Sequence, residues 1–371
     1  DLQPVFSFKL RGAYNKLRHL SKEQLAAGVV AASAGNHAQG LALAAKKMGV
    51  KATIVMPQTT PQIKVDAVRA RGAKVVLIGD SYDAAAAHAN KLIEEQGLTY
   101  IHPFDDPDII AGQGTIGMEI LRQVPGDLDA IFIAVGGGGL CAGVAAYVKN
   151  LRPDIKIIAV ESDDAACLDA AMKAGRRVRL KEVGIFADGT AVAQIGKETF
   201  RLLKNLVDEV ITVSTDEICA AIKDVYNDTR AICEPSGALG IAGLKKYVEA
   251  HAVEGQTLMA IQCGANIDFD RLRYISERTE TGEKREAVLA VTIDEKPGSF
   301  EKFCKALRRR NISEFNYRYN DANKAQIFVG MKVTSDEDRI ELVQELSQKG
   351  YAVSDMTDNE MAKLHIRHMV G

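Results

Sequence analysis

Ile131-Phe132-Ile133-Ala134-Val135-Gly136-Gly137-Gly138-Gly139-Leu140-Cys141 is the stretch on which the fold turns. Five consecutive apolar residues without alternation describe a strand buried on both faces, and such strands belong to parallel sheets covered by helices. Four glycines follow, and an apolar helix runs from Cys141 to Val148. A glycine turn between strand and helix lets the backbone close around a phosphate, with N–H groups supplied by the turn and the helix start. The spacing departs from GxGxxG and no Walker lysine follows, although Glu161 ends the next strand roughly 20 residues on, which keeps a dinucleotide reading open. A purely structural turn needs fewer glycines.

Outward from this stretch, helix and strand alternate from Lys9 to about Gly264. Short apolar strands are expected at Val29–Ala32, Ala52–Met56, Val75–Ile78, Ile157–Val160, Val210–Val213 and Leu258–Gln262. Amphipathic helices such as Tyr82–Glu95 and Glu217–Asn227 lie between them, and Ser21 is the expected N-cap of a helix from Lys22 to Ala27. The fold class is α/β, with parallel sheets in two lobes and the smaller lobe, about residues 15–110, inserted beside the larger. The composition turns charged near Phe269, where a linker helix (271–285) is expected. After it the order is strand Ala287–Ile293, helix Gly298–Arg309, strands Ile312–Tyr319 and Gln326–Val333, helix Asp336–Gln348 and strand Tyr351–Met356. That β-α-β-β-α-β order is the ferredoxin-like unit. The expected organisation is therefore a catalytic part over 1–270, a small α+β domain over 286–360, and the start of a further segment over 361–371. Asp1-Leu2-Gln3-Pro4 reads like the middle of a domain, so more structure is expected before it, and Gly371 breaks a segment off.

Three further stretches carry chemistry. In Ser7-Phe8-Lys9-Leu10-Arg11-Gly12-Ala13 a lysine follows aromatics and opens an apolar-periodic helix. A desolvated amine at a helix's positive end is less stable as an ammonium, and a neutral amine forms a Schiff base with an aldehyde. The plainer reading of such a lysine is a solvated surface residue. Ser33-Ala34-Gly35-Asn36-His37 sits between a strand end and a helix, where unpaired N–H groups attract a carboxylate; the plainer reading is that Ser33 and Asn36 cap the helix. Cys263-Gly264-Ala265-Asn266 follows a strand at the sheet edge that presents groups to ligands, and on its own Cys263 reads as a buried structural thiol.

Composition excludes several function classes. The chain has 371 residues, 47% hydrophobic against 26% charged, and a net charge of −2. With both signs interspersed there is no footprint for nucleic acid or an anionic membrane. No apolar run approaches the roughly 18 residues of a spanning helix and there is no secretory leader. The six cysteines show neither CxxC pairing nor His-rich spacing, which argues for a reducing cytoplasm and against a structural metal. Glu182 and Asp188, flanking Gly184-Ile185-Phe186-Ala187, stay outside the expected site as surface carboxylates.

Taken together, the Lys9 stretch, the Ser33–His37 turn, the tetraglycine with Leu140, Glu234-Pro235-Ser236-Gly237-Ala238 and Cys263-Gly264-Ala265-Asn266 resemble the biosynthetic threonine dehydratases (threonine ammonia-lyases). These are pyridoxal-phosphate enzymes of the tryptophan-synthase-β fold type. The resemblance covers essentially the whole chain and continues through Glu295-Lys296-Pro297-Gly298-Ser299-Phe300 and Ile312–Arg318 into the family's ACT-like regulatory domain. It implies that Lys9, beside Phe8, holds pyridoxal 5'-phosphate as a Schiff base. It also implies that Asn36 bonds the ring hydroxyl, Gly136, Gly137, Gly138, Gly139 and Leu140 bind the phosphate, and Cys263 faces the ring nitrogen, where many relatives have serine. The substrate carboxylate would lie on Ser33, Ala34, Gly35, Asn36 and His37, with the freed Lys9 amine as base and the cofactor's phosphate as acid for the departing hydroxyl. The implied reaction takes L-threonine to 2-oxobutanoate and ammonia, feeding isoleucine synthesis. Isoleucine, opposed by valine, would bind at Pro297, Gly298 and Ser299, and the assembly would be a cytoplasmic homotetramer. A serine dehydratase or a racemase on the same fold is the alternative, with L-serine as substrate, and a non-catalytic amino-acid sensor is the distant one.

Overall fold

The computed structural model describes residues 2–307, 310–321, 323–359 and 361–362, and these divide into two units between Asp268 and Phe269. Beyond Ala362, the segment expected to start at Met361 lies outside the described residues.

The first unit holds two parallel sheets. Strands β1 (Val29–Ala32), β2 (Ala52–Met56), β3 (Lys74–Leu77) and β4 (Thr99–Tyr100) form one, in the order β3-β2-β1-β4. The other is β7-β6-β5-β8, from β5 (Ala130–Ala134), β6 (Lys156–Ser162), β7 (Glu209–Val213) and β8 (Leu258–Ala260). The first is accompanied by α1 (Lys9–Arg18), α2 (Lys22–Ala27), α3 (Asn36–Met48), α4 (Gln62–Ala70) and α5 (Tyr82–Gln96). With the second run α6 (Pro107–Gln123), α7 (Gly139–Leu151), α8 (Cys167–Ala174), α9 (Lys197–Leu206), α10 (Thr215–Thr229) and α11 (Pro235–His251). Burial on two faces makes β1 continuously apolar: Val29 and Ala31 join a core with Leu17 and Leu41, while Val30 and Ala32 join another with Ala85, Ala89 and Leu92. Strand β4 has only two residues, too short to stand out as an apolar run. Strand β8 ends at Ala260 rather than Gln262, because only Leu258–Ala260 pair with β5.

Helix α1 is fixed by what it crosses. Arg11 donates to both oxygens of Glu119, at 2.6 and 2.9 Å, and to Thr115 at 3.0 Å, and Lys16 reaches Asp108 at 2.9 Å. The backbones of α1 and α6 meet at glycines, since a Cβ on Gly112 would lie 2.6 Å from Gly12 Cα. A helix clamped by its neighbour in this way holds its first residue, Lys9, in one place.

The second unit is an antiparallel sheet in the order β10-β11-β9-β12, built from β9 (Glu286–Asp294), β10 (Ile312–Asp321), β11 (Lys324–Lys332) and β12 (Ala352–Asp355). With α13 (Ser299–Ala306) and α14 (Asp336–Gln348) it makes the expected ferredoxin-like unit. Alternate β9 residues Ala287, Leu289, Val291 and Ile293 pack with Phe303, Leu342 and Leu346. Helix α13 ends earlier than expected, and Arg308 and Arg309 lie outside the described residues. The helix expected as a linker, α12 (Arg271–Gly282), buries Ile275, Arg278, Thr279 and Thr281 and belongs to this unit.

Candidate active site

Lys9 is brought to Cys263 by a short strand-like pairing. Ser7 bridges Gly264 in antiparallel fashion, Ala265 N donates to Phe6 O at 2.9 Å, and Phe8 N donates to Cys263 O at 3.4 Å. Phe8 is the N-cap of α1 and offers no side-chain cap, so the amine of Lys9 sits at an uncapped, positive helix start. Burial lowers the Lys9 pKa, opposed by the charges of Cys263 and Glu234. The Cys263 thiol is itself pushed up to about 12, by burial first and then by Glu234, so at neutral pH only Glu234 opposes the desolvation. A neutral amine is the form that attacks an aldehyde or accepts a proton.

The Ser33–His37 turn leads from β1 into α3. Its N-cap is Gly35, with no side-chain cap, so capping does not account for Ser33 and Asn36. Ser33 Oγ accepts from Gly35 N at 3.3 Å. Asn36, the first helical residue, turns its amide to Glu234 Oε1 at 2.7 Å. His37 is buried, bonded through Nε2 to Ile101 O at 2.9 Å, and burial holds its pKa down to about 3. It therefore brings the turn a backbone N–H and no charge.

The glycines make an enclosed cradle. Helix α7 starts at Gly139, two residues before the expected Cys141, and Gly138 caps it at φ 92°, a left-handed conformation that favours glycine. A Cβ on Gly136 would lie 2.7 Å from Thr190 Cα, and one on Gly137 would overlap the ring of Phe104. The outer face is held from behind: Thr199 Oγ1 donates to Gly137 O at 2.8 Å and Cys167 Sγ to Gly136 O at 3.3 Å. What remains for a ligand is backbone N–H at a helix start, suited to a phosphate. Glu161 does not serve a ribose. Its carboxylate accepts Leu168 N and Asp169 N, both at 2.8 Å, at the start of α8, which closes the dinucleotide reading.

One cavity is lined by Phe8, Lys9, Asn36, the four glycines, Leu140 and Cys263. Phe104, Ala134, Gly189, Thr190, Glu234 and Ser236 complete it, and none of these has a role assigned from sequence. Glu234 was visible as part of a helix start with proline at the first position; Phe104 and Thr190 carry no local signal. Phe104 is set by His102, whose Nδ1 accepts Phe104 N at 3.1 Å and Asp105 N at 2.7 Å. The Asp105 carboxylate in turn accepts Lys197 N, Glu198 N and Thr199 N at 2.7, 2.8 and 3.2 Å. Asp105 thus caps the helix whose Thr199 holds the glycine loop. Replacing Asp105 by alanine should cost about 1–2 kcal/mol, the usual worth of an N-cap, read as a lower urea midpoint; an unchanged midpoint would remove Asp105 as the anchor of α9. Asp188 is engaged by Lys64 Nζ at 2.8 Å, and among the described residues no group of three or more His, Cys, Asp and Glu is placed to hold a metal ion. A second cavity of about 510 Å³, between α6, α7 and α9, shares no lining residue with this one.

Two parallel-sheet lobes with a desolvated lysine facing a glycine-built anion cradle define the pyridoxal-phosphate enzymes of the tryptophan-synthase-β type. The residues fit that cofactor: an amine whose pKa burial lowers for its aldehyde, N–H groups for its phosphate, and no room in the cradle for a side chain. Residues 1–264 match the model of the pyridoxal-phosphate dependent enzymes, and residues 277–366 match that of the C-terminal regulatory domain of threonine dehydratase. The biosynthetic L-threonine dehydratase of Burkholderia multivorans is 57% identical over 374 residues, covering 100% of this chain and 74% of its own. That of Escherichia coli is 55% identical, covering 100% and 72%. The solved structure of the processed form of threonine deaminase isoform 2 from Solanum lycopersicum superposes with a TM-score of 0.74 at 53% identity, over 75% of this chain and 81% of that one. The chain belongs to the threonine dehydratases within the pyridoxal-phosphate-dependent enzyme family.

Proposed function

We propose that the chain converts L-threonine to 2-oxobutanoate and ammonia, the first step of isoleucine biosynthesis, and that the Lys9 cavity is where it does so. The observation that carries the assignment of the site is the Lys9 side chain lining one cavity with the glycine cradle, where burial lowers its amine's pKa. Pyridoxal phosphate, when bound, supplies a ring that withdraws electrons from the substrate's Cα. Lys9 would hold it, Gly136–Leu140 would bind its phosphate, Asn36 would donate to its ring oxygen, and Cys263 would meet its ring nitrogen as a neutral thiol. The N–H groups of the Ser33–His37 turn fix the threonine carboxylate. With the cofactor bound, the Lys9 amine would take the α-proton, and the β-hydroxyl would leave as water. One water returns to hydrolyse the released enamine, so threonine equals 2-oxobutanoate plus ammonia atom for atom. The test is a visible spectrum with and without threonine, coupled to keto-acid detection and run in parallel with L-serine. No cofactor band, or no keto acid from threonine, would overturn the reading.

The regulatory reading extends to effectors. Helix α13 is capped by Gly298 at φ 84° without a side-chain cap; Ser299 N already donates to Lys296 O at 3.0 Å, which leaves the N–H groups of Phe300 and Glu301 for a carboxylate. Beside it Phe300 stacks edge-on with Phe315 at 5.4 Å and with Tyr317 at 6.0 Å, an aromatic surface suited to a branched aliphatic side chain. Isoleucine, opposed by valine, is the ligand proposed for Pro297, Gly298 and Ser299, in a cytoplasmic homotetramer. Among the described residues no helix is long and apolar enough to cross a membrane. An effector acts only through its preference for one catalytic state, typically about 1–3 kcal/mol or roughly 5- to 150-fold. Because Gly298 is left-handed, Gly298→Asp alone mixes charge with backbone strain. Asparagine tolerates that conformation as well as aspartate does and carries no charge. Isoleucine inhibition of threonine turnover should weaken in Gly298→Asp and persist in Gly298→Asn; equal inhibition in the two would remove this loop as the carboxylate site.

A further inference from the structure

Glu234 is the N-cap residue of α11, yet its side chain does not cap that helix. It is 3% exposed and points instead at the Lys9 cavity, where Oε1 accepts Asn36 Nδ2 at 2.7 Å and Oε2 accepts Asn266 N at 3.0 Å. The Asn266 amide closes the ring, donating to Asn36 Oδ1 at 2.7 Å and to Val5 O at 2.8 Å. These partners come from four places in the chain: before α1, the start of α3, the start of α11, and the loop after β8.

The donor and acceptor count of this ring has one solution. A carboxylate only accepts, so Asn36 must face Glu234 with its NH2 and Asn266 with its oxygen. One Nδ2 hydrogen is used by Glu234, and a single N–H remains for the cavity. A free amide turns over easily, and in the turned state Asn36 would present a carbonyl oxygen to an acceptor. We propose that Glu234 and Asn266 are positioning residues that lock the Asn36 amide with one N–H aimed into the cavity, so that it donates to the cofactor's ring oxygen. This rests on the reading of the Lys9 cavity as the pyridoxal-phosphate site.

The same ring makes the lock sensitive to protons. Burial pushes the Glu234 carboxyl up to about 7, the charge of Asp188 adds to this, and the bonds from Asn36 and Asn266 and the nearby Lys9 oppose it. The remaining groups facing it are the thiols of Cys233 and Cys263, each pushed up to about 12 and so uncharged at neutral pH. Once protonated, Glu234 has an O–H where two N–H donors already converge. A proton on Oε1 sets the O–H against the Asn36 N–H, and the Asn36 amide is released.

The test compares the cofactor-loaded wild type with Glu234→Gln, which keeps the shape and removes the charge, and with Asn266→Ala, which frees Asn36 Oδ1. Read-outs are the visible absorption band, the cofactor Kd from titration of apo-protein, and kcat and KM for threonine against pH. Both variants should shift the band and weaken cofactor binding by about 10-fold, the worth of one hydrogen bond. Wild-type kcat should fall as pH drops through about 7, and Glu234→Gln should lack that limb while KM changes little. If Glu234→Gln keeps the limb and both variants keep the wild-type band and Kd, the proposal is overturned. If Glu234→Gln does not fold, the Asn266→Ala band and Kd decide alone. A wild type with no visible band at all would overturn the reading of the cavity first, and this inference with it.

Discussion

Lys9→Ala should lose at least about 10^4-fold in threonine turnover, because in the proposed site one side chain serves both as the anchor of the cofactor and as the base for the α-proton. The same substitution should leave the fold intact or make it firmer. Lys9 is the first residue of α1, its amine lying over the Phe8 ring at 4.8 Å from the centroid, and alanine is the better helix former. The amine's pKa is also lower in the folded protein than in the unfolded chain, because burial disfavours the ammonium. The cost of that shift is fully present below the folded pKa and shrinks as pH rises from there toward the unfolded value. Alanine removes the cost. Melting curves of the cofactor-free proteins at pH 7 and pH 9 should show Lys9→Ala above the wild type, with the gap narrowing at the higher pH. Near-wild-type keto-acid production by this variant would refute the assignment of Lys9.

What could be read from sequence was what is decided locally. The strand Ala130–Ala134, the glycine turn and the helix behind it are contiguous, so their chemistry is written in order along the chain. The lysine after two aromatics, the Ser21 N-cap and the alternation of β9 are equally local. What stayed hidden depends on partners far apart in sequence. Asn36 reads from sequence either as a helix cap or as a donor to a ring oxygen, and nothing local chooses between the two. Tertiary partners 198 and 230 residues away claim its amide. Glu234 stands at a helix start, where an acidic side chain ordinarily serves its own helix, and only the approach of Asn36 and Asn266 redirects it. Phe104 enters the site because His102 and Asp105 shape its loop, and no periodicity marks a loop. The burial of α12 was likewise invisible, since its charged composition reads as a solvated face until Arg278 and Thr279 are seen to be enclosed.

Cys263→Ser and Cys263→Asp should part by about 100-fold or more in kcat, and the comparison isolates charge at the sheet edge. Cys263 is 5% exposed and its Sγ donates to Ser236 O at 3.3 Å. Serine offers an O–H to the same carbonyl and is uncharged, so its turnover should stay within about threefold of wild type and its stability within about 1 kcal/mol. Aspartate changes two things at once. It puts a second carboxyl beside Glu234, already raised to about 7, so the two cannot both ionise cheaply and the pair titrates together. A buried second charge costs several kcal/mol, which a fall in melting temperature will register. Where the aspartate does ionise, it favours a proton on the ring nitrogen; the ring then draws in charge that must flow toward Cβ to expel the hydroxyl, and elimination slows. The two effects separate by measurement, because instability lowers the active fraction while the electronic effect lowers kcat per bound cofactor. Cofactor content from the visible band therefore normalises the rate. Equal normalised rates in the serine and aspartate variants would place Cys263 away from the ring nitrogen and return it to the role of a buried structural thiol.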